Sequence, residues 1–256
     1  MTDPDPANNG HQTIAQLLQQ GLFHHRQGDI PTAMERYSQV LGKDPKNTDA
    51  LYYVAVIACQ EEQFKQGVDL IKRALTFTAP QARMLNIMGQ ALDRLGEPLE
   101  AMKALDQAIA LDPNLAAAHG NRANILVDAG MLDLALVSFN RALELDPNSM
   151  PDLVNRGALL QTLGRHDEAL ASLDRALALA PRNPAVLNNR GVSLAALGRN
   201  EEALAAFDAA LAANPRLADA HRARGKVLEL LGRADEAKAA LAKAEEFSAP
   251  AGAQPA

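Results

Sequence analysis

One spacing constrains this chain more than any other property. The run Asp112-Pro113-Asn114 returns 34 residues later as Asp146-Pro147-Asn148, then in weakened form as Ala180-Pro181-Arg182 and Asn214-Pro215-Arg216. Asp44-Pro45-Lys46 lies two periods before the first of these. A period of roughly 20–50 residues marks a stack of small units, each able to bury its apolar face only against its neighbours. With Ile14 as position 1, units begin at Ile14, Thr48, Ala82, Ala116, Met150, Pro184 and Ala218, without insertion or deletion. The expected organisation is a disordered arm over 1–13, seven units over 14–251 and a tail over 252–256. The units are 14–47, 48–81, 82–115, 116–149, 150–183, 184–217 and 218–251.

Each unit divides into two helices. Position 8 is always small (Gly21, Ala55, Gly89, Ala123, Gly157, Gly191, Gly225), and so is position 20, from Ala33 and Gly67 to Ala237. Position 27 is Val40 and then Ala from Ala74 to Ala244. Small side chains at fixed register let helices cross closely. Between the halves stands a glycine (Gly28, Gly96, Gly130, Gly164, Gly198, Gly232), with Glu62 as the exception. Glycine ends the first helix and proline the second, leaving helices of about 13 residues, or about 20 Å.

These residues, with an aromatic or Leu at position 24 (Tyr37, Leu105, Phe139, Leu173, Phe207) and Pro at 32, resemble the tetratricopeptide repeat (TPR) over nearly the whole chain. The resemblance implies an all-α, right-handed superhelical solenoid of antiparallel helix pairs, with first helices lining a concave groove that binds a partner polypeptide. Position 4, often Trp in this family, is Leu17, Leu51, Leu85, His119, Leu153, Leu187 and His221 here, which accounts for a chain with no Trp.

Charge and composition exclude several partners. Lys and Arg number 25 against 31 Asp and Glu, a formal charge of −6 that lacks the basic excess a phosphate backbone or an anionic membrane surface would demand. Neither nucleic acid nor membrane insertion is expected, and the polar stretch from Met1 to Thr13 offers no apolar run for a signal or span. The lone Cys59 excludes an internal disulfide and suits a reducing compartment, so a cytoplasmic protein is expected.

The stacking faces vary along the array. Position 21 is apolar from Met34 to Leu204 and then Lys238, and position 28 is apolar from Leu41 to Leu211 and then Glu245. With Lys243 and Glu246, these make the last helix a polar cap, and the stack is expected to finish there.

Position 7 is Arg in the last four units: Arg122, Arg156, Arg190 and Arg224. The residue 16 earlier is Asp106, Asn140, Asp174 or Asp208. Where position 7 is Val54 or Met88, the partner is Ser38 or Lys72. The two positions switch together, which predicts a structural inter-repeat ladder.

The remaining first-helix faces form the candidate peptide-binding groove. Position 6 places Asn121, Asn155 and Asn189 in successive units, and an amide matches the alternating C=O and N–H of an extended peptide whatever its side chains. Asn86, Asn124 and Asn188 extend this polar surface. Tyr52, Tyr53, Arg83 and Arg94 stand toward one end, and Arg222 and Lys226 toward the other. The runs Asn155-Arg156-Gly157 and Asn189-Arg190-Gly191 resemble the repeat region of O-linked N-acetylglucosamine transferases and related bacterial proteins. That likeness implies an asparagine ladder holding substrate backbones, without a catalytic domain. No Lys stands at position 5, so the carboxylate-clamping arrangement of chaperone-tail binders is not expected.

No catalytic constellation, cofactor or metal site is expected. His24 and His25 are adjacent and cannot face one metal from a helix, and His119 and His221 read as core-edge residues. The expected function is a non-enzymatic scaffold that holds an extended segment of a protein partner. The alternatives are a substrate-presenting accessory of a glycosyltransferase or sulfotransferase system, and a homo-oligomer formed by the arm or first helix entering the groove of another copy.

Overall fold

The computed structural model describes residues 12–248, so residues 1–11 of the expected arm and the expected tail lie outside the described residues. Every regular element among the described residues is an α-helix. In chain order these are α1 (Ile14–Arg26), α2 (Ile30–Lys43), α3 (Thr48–Gln60), α4 (Phe64–Leu75), α5 (Ala82–Arg94), α6 (Pro98–Leu111), α7 (Ala116–Asp128), α8 (Leu132–Leu145), α9 (Met150–Thr162), α10 (His166–Leu179), α11 (Pro184–Ala196), α12 (Asn200–Ala213), α13 (Ala218–Leu230) and α14 (Ala234–Ser248). The odd-numbered helices begin 34 residues apart. The chain divides into two compact units, Met1–Ile125 and Leu126–Ala256, with the division inside α7. In each unit the fold is that of a TPR solenoid, with consecutive helices of α1–α6 and of α8–α14 packed on one another.

The turn within each pair closes by one backbone device. The N–H three residues past the first helix bonds back five residues along the chain, as in Arg165 N–H to Leu160 O at 2.8 Å, and the residue before it takes positive φ. Six of these residues are glycines with φ of 71–77°, and at the seventh turn Glu62 holds φ 59°. A side chain at that angle is strained, because its β-carbon crowds the backbone carbonyl.

The second helices end differently. At Asp112 the chain swings to φ −139°, ψ 93°, and the carboxylate accepts from Asn114 N–H at 3.0 Å. Asp44, Asp146 and Asn214 each accept from the N–H two residues on at 3.1 Å. Ala180 has no side-chain oxygen for this turn. The following prolines leave carbonyls that need donors. Arg73 and Arg175 supply them to Pro45 and Pro147 at 2.7 and 2.6 Å, and His119 and His221 supply them to Pro113 and Pro215 at 3.0 and 2.9 Å. The two histidines therefore cap loop carbonyls besides packing at the core edge.

Within each unit the core sits between paired helices and between successive pairs, filled by Ala and Leu around a few rings. Tyr37, Phe139 and Phe207 are fully buried, as are the small residues at positions 20 and 27. Each buried Leu contributes about 1.5–3 kcal/mol, but only because its neighbours lie close enough to exclude water. Position 8 sets that distance. A β-carbon on Gly21 would lie 2.5 Å from the Tyr37 ring, on Gly89 2.7 Å from Leu105, and on Gly225 2.8 Å from Leu241. In the second pair position 8 is Ala55, and the glycine stands instead at position 20, where the Cys59 sulfur rests over Gly67 and burial pushes that thiol's pKa up.

Candidate functional site

In the first unit, α3, α5 and α7 carry the proposed groove residues. Tyr53 stacks on Tyr37 at 5.4 Å between ring centroids and meets Tyr52 edge-on at 5.1 Å. The Arg83 guanidinium lies 4.6 Å from the Tyr52 ring centroid, bonds Gln81 Oε1 at 3.0 Å and pairs with Asp49. Burial raises the Tyr52 phenol and pushes Tyr37 up to about 12, so both remain protonated and neutral at physiological pH. Arg83 is thus committed on three sides, and the two tyrosines are largely engaged in helix packing. Arg94 stands exposed, 5.1 Å from the Phe64 ring centroid and 4.0 Å from Glu62. Deeper in the same unit, Asn121 Nδ2 on α7 donates to Asn86 Oδ1 on α5 at 2.9 Å, and Asn86 is buried. Asn124 lies one turn further along α7, half-buried.

In the second unit the amides sit on α9 and α11. Asn155, Asn188 and Asn189 are half-buried, and the Asn188 Oδ1 atom is buried with no hydrogen-bond partner among the described residues. Beside it, Gln161 Nε2 on α9 donates to Asn189 O at 2.5 Å and to Ser193 Oγ at 2.8 Å on α11. Gln161 and Ser193 were absent from the sequence reading. They tie the first helices of two pairs, and only a count of their bonds across 28 and 32 residues reveals it. Arg222 on α13 bonds Asp219 Oδ1 at 2.6 Å and Ser248 Oγ at 3.0 Å, while Lys226 one turn on is exposed.

The Arg and Asp/Asn residues spaced by 16 come together in each unit. Arg122 Nε donates to Asp106 Oδ1 at 2.8 Å in the first. In the second, Arg156 Nε donates to Asn140 Oδ1 at 2.7 Å, Arg190 to Asp174 at 2.7 Å and Arg224 to Asp208 at 2.6 Å. Arg156 also donates through Nη1 to Ser172 Oγ at 2.5 Å, so it joins α8, α9 and α10. Burial pulls the Arg156 pKa down. A cavity of about 310 Å³ opens beside Arg224, lined by Asp208, Pro215, His221 and Lys243 among others.

Among the described residues no group of three or more His, Cys, Asp or Glu could hold a metal ion. No helix among them is long and apolar enough to cross a membrane.

Comparison with known proteins places this geometry in a family. Models described as tetratricopeptide repeat match residues 18–82, 82–115, 116–149, 154–216 and 193–253. Among curated proteins, Cellulose synthase 2 operon protein C of Komagataeibacter xylinus is 28% identical over 116 residues, 44% of this chain, and the matched stretch spans 9% of that protein. Among solved structures, a tetratricopeptide repeat protein from Parabacteroides merdae ATCC 43184 superposes with a TM-score of 0.62 at 18% identity, covering 94% of this chain and 95% of that one. YrrB, described as a TPR protein with an unusual peptide-binding site, superposes with a TM-score of 0.51 at 23% identity, covering 68% of this chain and 90% of its own. Family models that together span more than half of the sequence settle membership: the chain belongs to the tetratricopeptide repeat family.

Proposed function

We propose that this chain is a non-enzymatic scaffold of seven repeats that holds an extended segment of a partner protein against its first helices, reading main chain more than side chains. The observation that carries this is Asn188 Oδ1, a buried acceptor without a donor among the described residues, on the helix that also carries Asn189. Leaving a buried acceptor unsatisfied costs about 1–3 kcal/mol, and a turn of the half-buried Asn188 amide toward a peptide laid along α11 would give that oxygen a donor. Asn155 on α9 adds a second amide in the same unit. In the first unit Asn121 spends one donor on Asn86 and keeps its own carbonyl oxygen for a ligand. YrrB, described by its peptide-binding site, has the same fold. A protein confined to a reducing compartment, such as the cytoplasm, suits the half-buried lone Cys59 thiol.

The test is a peptide array probed with the wild-type protein and with the Asn121→Ala/Asn155→Ala/Asn189→Ala variant. Bound peptides should tolerate side-chain replacement, lose binding on N-methylation of single main-chain amides, and bind the triple variant at least tenfold more weakly. Binding that ignores both the N-methyl scan and the triple variant would refute the reading.

A second reading has one observation in its favour, the likeness to a protein named for a cellulose synthase operon. On that reading the scaffold serves an enzyme that polymerises sugars, and its groove ligand is a segment of that enzyme or of a subunit bound to it. Pull-down of a glycosyltransferase by the wild type and not by the triple variant would support it.

A further inference from the structure

At three outer positions the second helices carry polar residues, with one exception. Positions 16, 19 and 22 read Arg165, Glu168 and Ala171 in one unit, Arg199, Glu202 and Ala205 in the next, and Arg233, Glu236 and Ala239 in the last. In these three the Arg and Glu form a two-bonded pair at 2.6–2.8 Å. Earlier units hold Asp29, Thr32 and Glu35, then Gln63, Gln66 and Asp69, then Glu97, Glu100 and Lys103. At α8 alone all three positions are apolar: Met131, Leu134 and Val137, exposed by 53%, 52% and 64%. One exposed large apolar side chain is ordinary on a protein surface, but three in one stripe, where every other copy of the repeat has at least two polar residues, mark an interaction site.

We propose that this stripe pairs with the same stripe of a second copy of the chain, α8 against α8, around a twofold axis over Val137. Charge placement selects this occupant. Asp133 lies four residues before Val137, and Arg141, whose Nη1 also bonds Glu144 Oε2 at 3.0 Å, lies four residues after it, both within about 40° of Val137 on a helical wheel. Two antiparallel helices centred on Val137 bring each Asp133 opposite the partner's Arg141, and this happens twice because a twofold contact repeats every pair. Leu134 then packs between Val137 and Arg141 of the partner subunit, and the opposed helix dipoles add to the attraction. A parallel pairing would set like charges together. The stripe runs six residues, about 9 Å, so the contact falls below the standard class of about 1,200–2,000 Å² and gives a weak, reversible dimer. It leaves the groove residues of α9 and α11 uncovered and is independent of the peptide-binding reading.

Sedimentation equilibrium on the full chain tests this. The weight-average mass should rise from 27.3 kDa toward twice that value as concentration increases from roughly 10 µM to 1 mM. Val137→Glu should weaken association at least tenfold while its thermal melt stays that of a folded protein, with Leu134→Glu as a second variant if it does not. Asp133→Arg and Arg141→Asp should each weaken the dimer, and the double variant should restore it. A wild type that stays monomeric to 1 mM overturns the proposal and leaves the stripe to a helix of a different protein. Dimerisation that ignores both Glu variants also overturns it, and a double variant no tighter than the singles overturns the antiparallel register.

Discussion

A β-carbon on Gly191 would lie 2.5 Å from Cε1 of Phe207, closer than any packed pair of carbons, so the glycine is what lets α11 and α12 meet over a full aromatic ring. The same register is filled differently in the second pair, where Ala55 and Ile71 are both fully buried in one cluster. The two positions share a volume, and neither can be understood alone.

Gly191→Ala should therefore destabilise the protein by about 1–3 kcal/mol, the usual cost of overpacking a core. Phe207→Ile alone should also cost stability, through the cavity it leaves. The double variant should lose less than the sum of the singles, because alanine then occupies space the ring vacated. Urea denaturation of the four proteins in a double-mutant cycle measures the coupling, and strict additivity would show that the crossing does not depend on this pair.

Glu62 should be improvable. It holds positive φ at a turn where the other pairs have glycine, and its contact with Arg94 is a 4.0 Å pair between exposed side chains. Such pairs contribute about 0–1 kcal/mol, whereas the left-handed conformation costs a non-glycine residue about 1–2 kcal/mol. Glu62→Gly should raise stability by about 0.5–1 kcal/mol once its unfolded-state entropy is included. Glu62→Ala, which loses the ion pair and keeps the strain, should not. A denaturation midpoint that falls for Gly as far as for Ala would assign Glu62 a role this geometry does not contain.

The fold was legible because a 34-residue period places the same physical problem at the same position many times. Small residues at 8, 20 and 27 report a helix crossing even when one unit departs from the pattern. The spacing of 16 between Arg190 and Asp174 was legible for the same reason, since both positions changed together. What stayed hidden was satisfied from two alternative positions of the repeat. The carbonyls of Pro45 and Pro147 are met from α4 and α10 by arginines, while those of Pro113 and Pro215 are met from α7 and α13 by histidines. No single column of the repeat carries that function, so no periodicity exposes it. The Asn86–Asn121 bond was hidden similarly, because it joins positions 5 and 6 of neighbouring units and turns two candidate ligand groups toward each other.

The rungs of the Arg ladder should differ in cost. Asp174 is more than half exposed, so Asp174→Ala should lower stability by about 0.2–1 kcal/mol. Asn140→Ala should cost more, about 1–3 kcal/mol, because Arg156 is pressed into the protein and loses the acceptor of its Nε. Neither change touches Asn155, Asn188 or Asn189, so peptide affinity should stay within twofold of wild type in both. Thermal melts and a fluorescence binding assay on the same samples separate the two effects. A tenfold loss of affinity in a folded Asp174→Ala protein would make the ladder part of the binding site.

Two kinds of carboxylate should respond to acid in opposite directions. Hydrogen bonds from Arg165, Arg199 and Arg233 hold Glu168, Glu202 and Glu236 below their ordinary pKa. The stability each contributes is present above the unfolded value and is lost as pH falls through the depressed folded value. Asp152 is the reverse: burial raises its pKa above the ordinary 3.8, against a hydrogen bond from Ser149 Oγ at 2.6 Å. Its folded form favours the proton, so its contribution is greatest below the unfolded pKa and disappears as pH rises through the folded one. At neutral pH the ionised carboxylate is therefore a cost, and Asp152→Asn, which keeps an acceptor for Ser149, should be more stable than wild type. Below pH 3 both side chains are neutral, and the difference should vanish. Urea denaturation of the two proteins at pH 7 and pH 3 reads this directly, and an Asn variant that is less stable at pH 7 would mean that the charge of Asp152 at the start of α9 outweighs its burial.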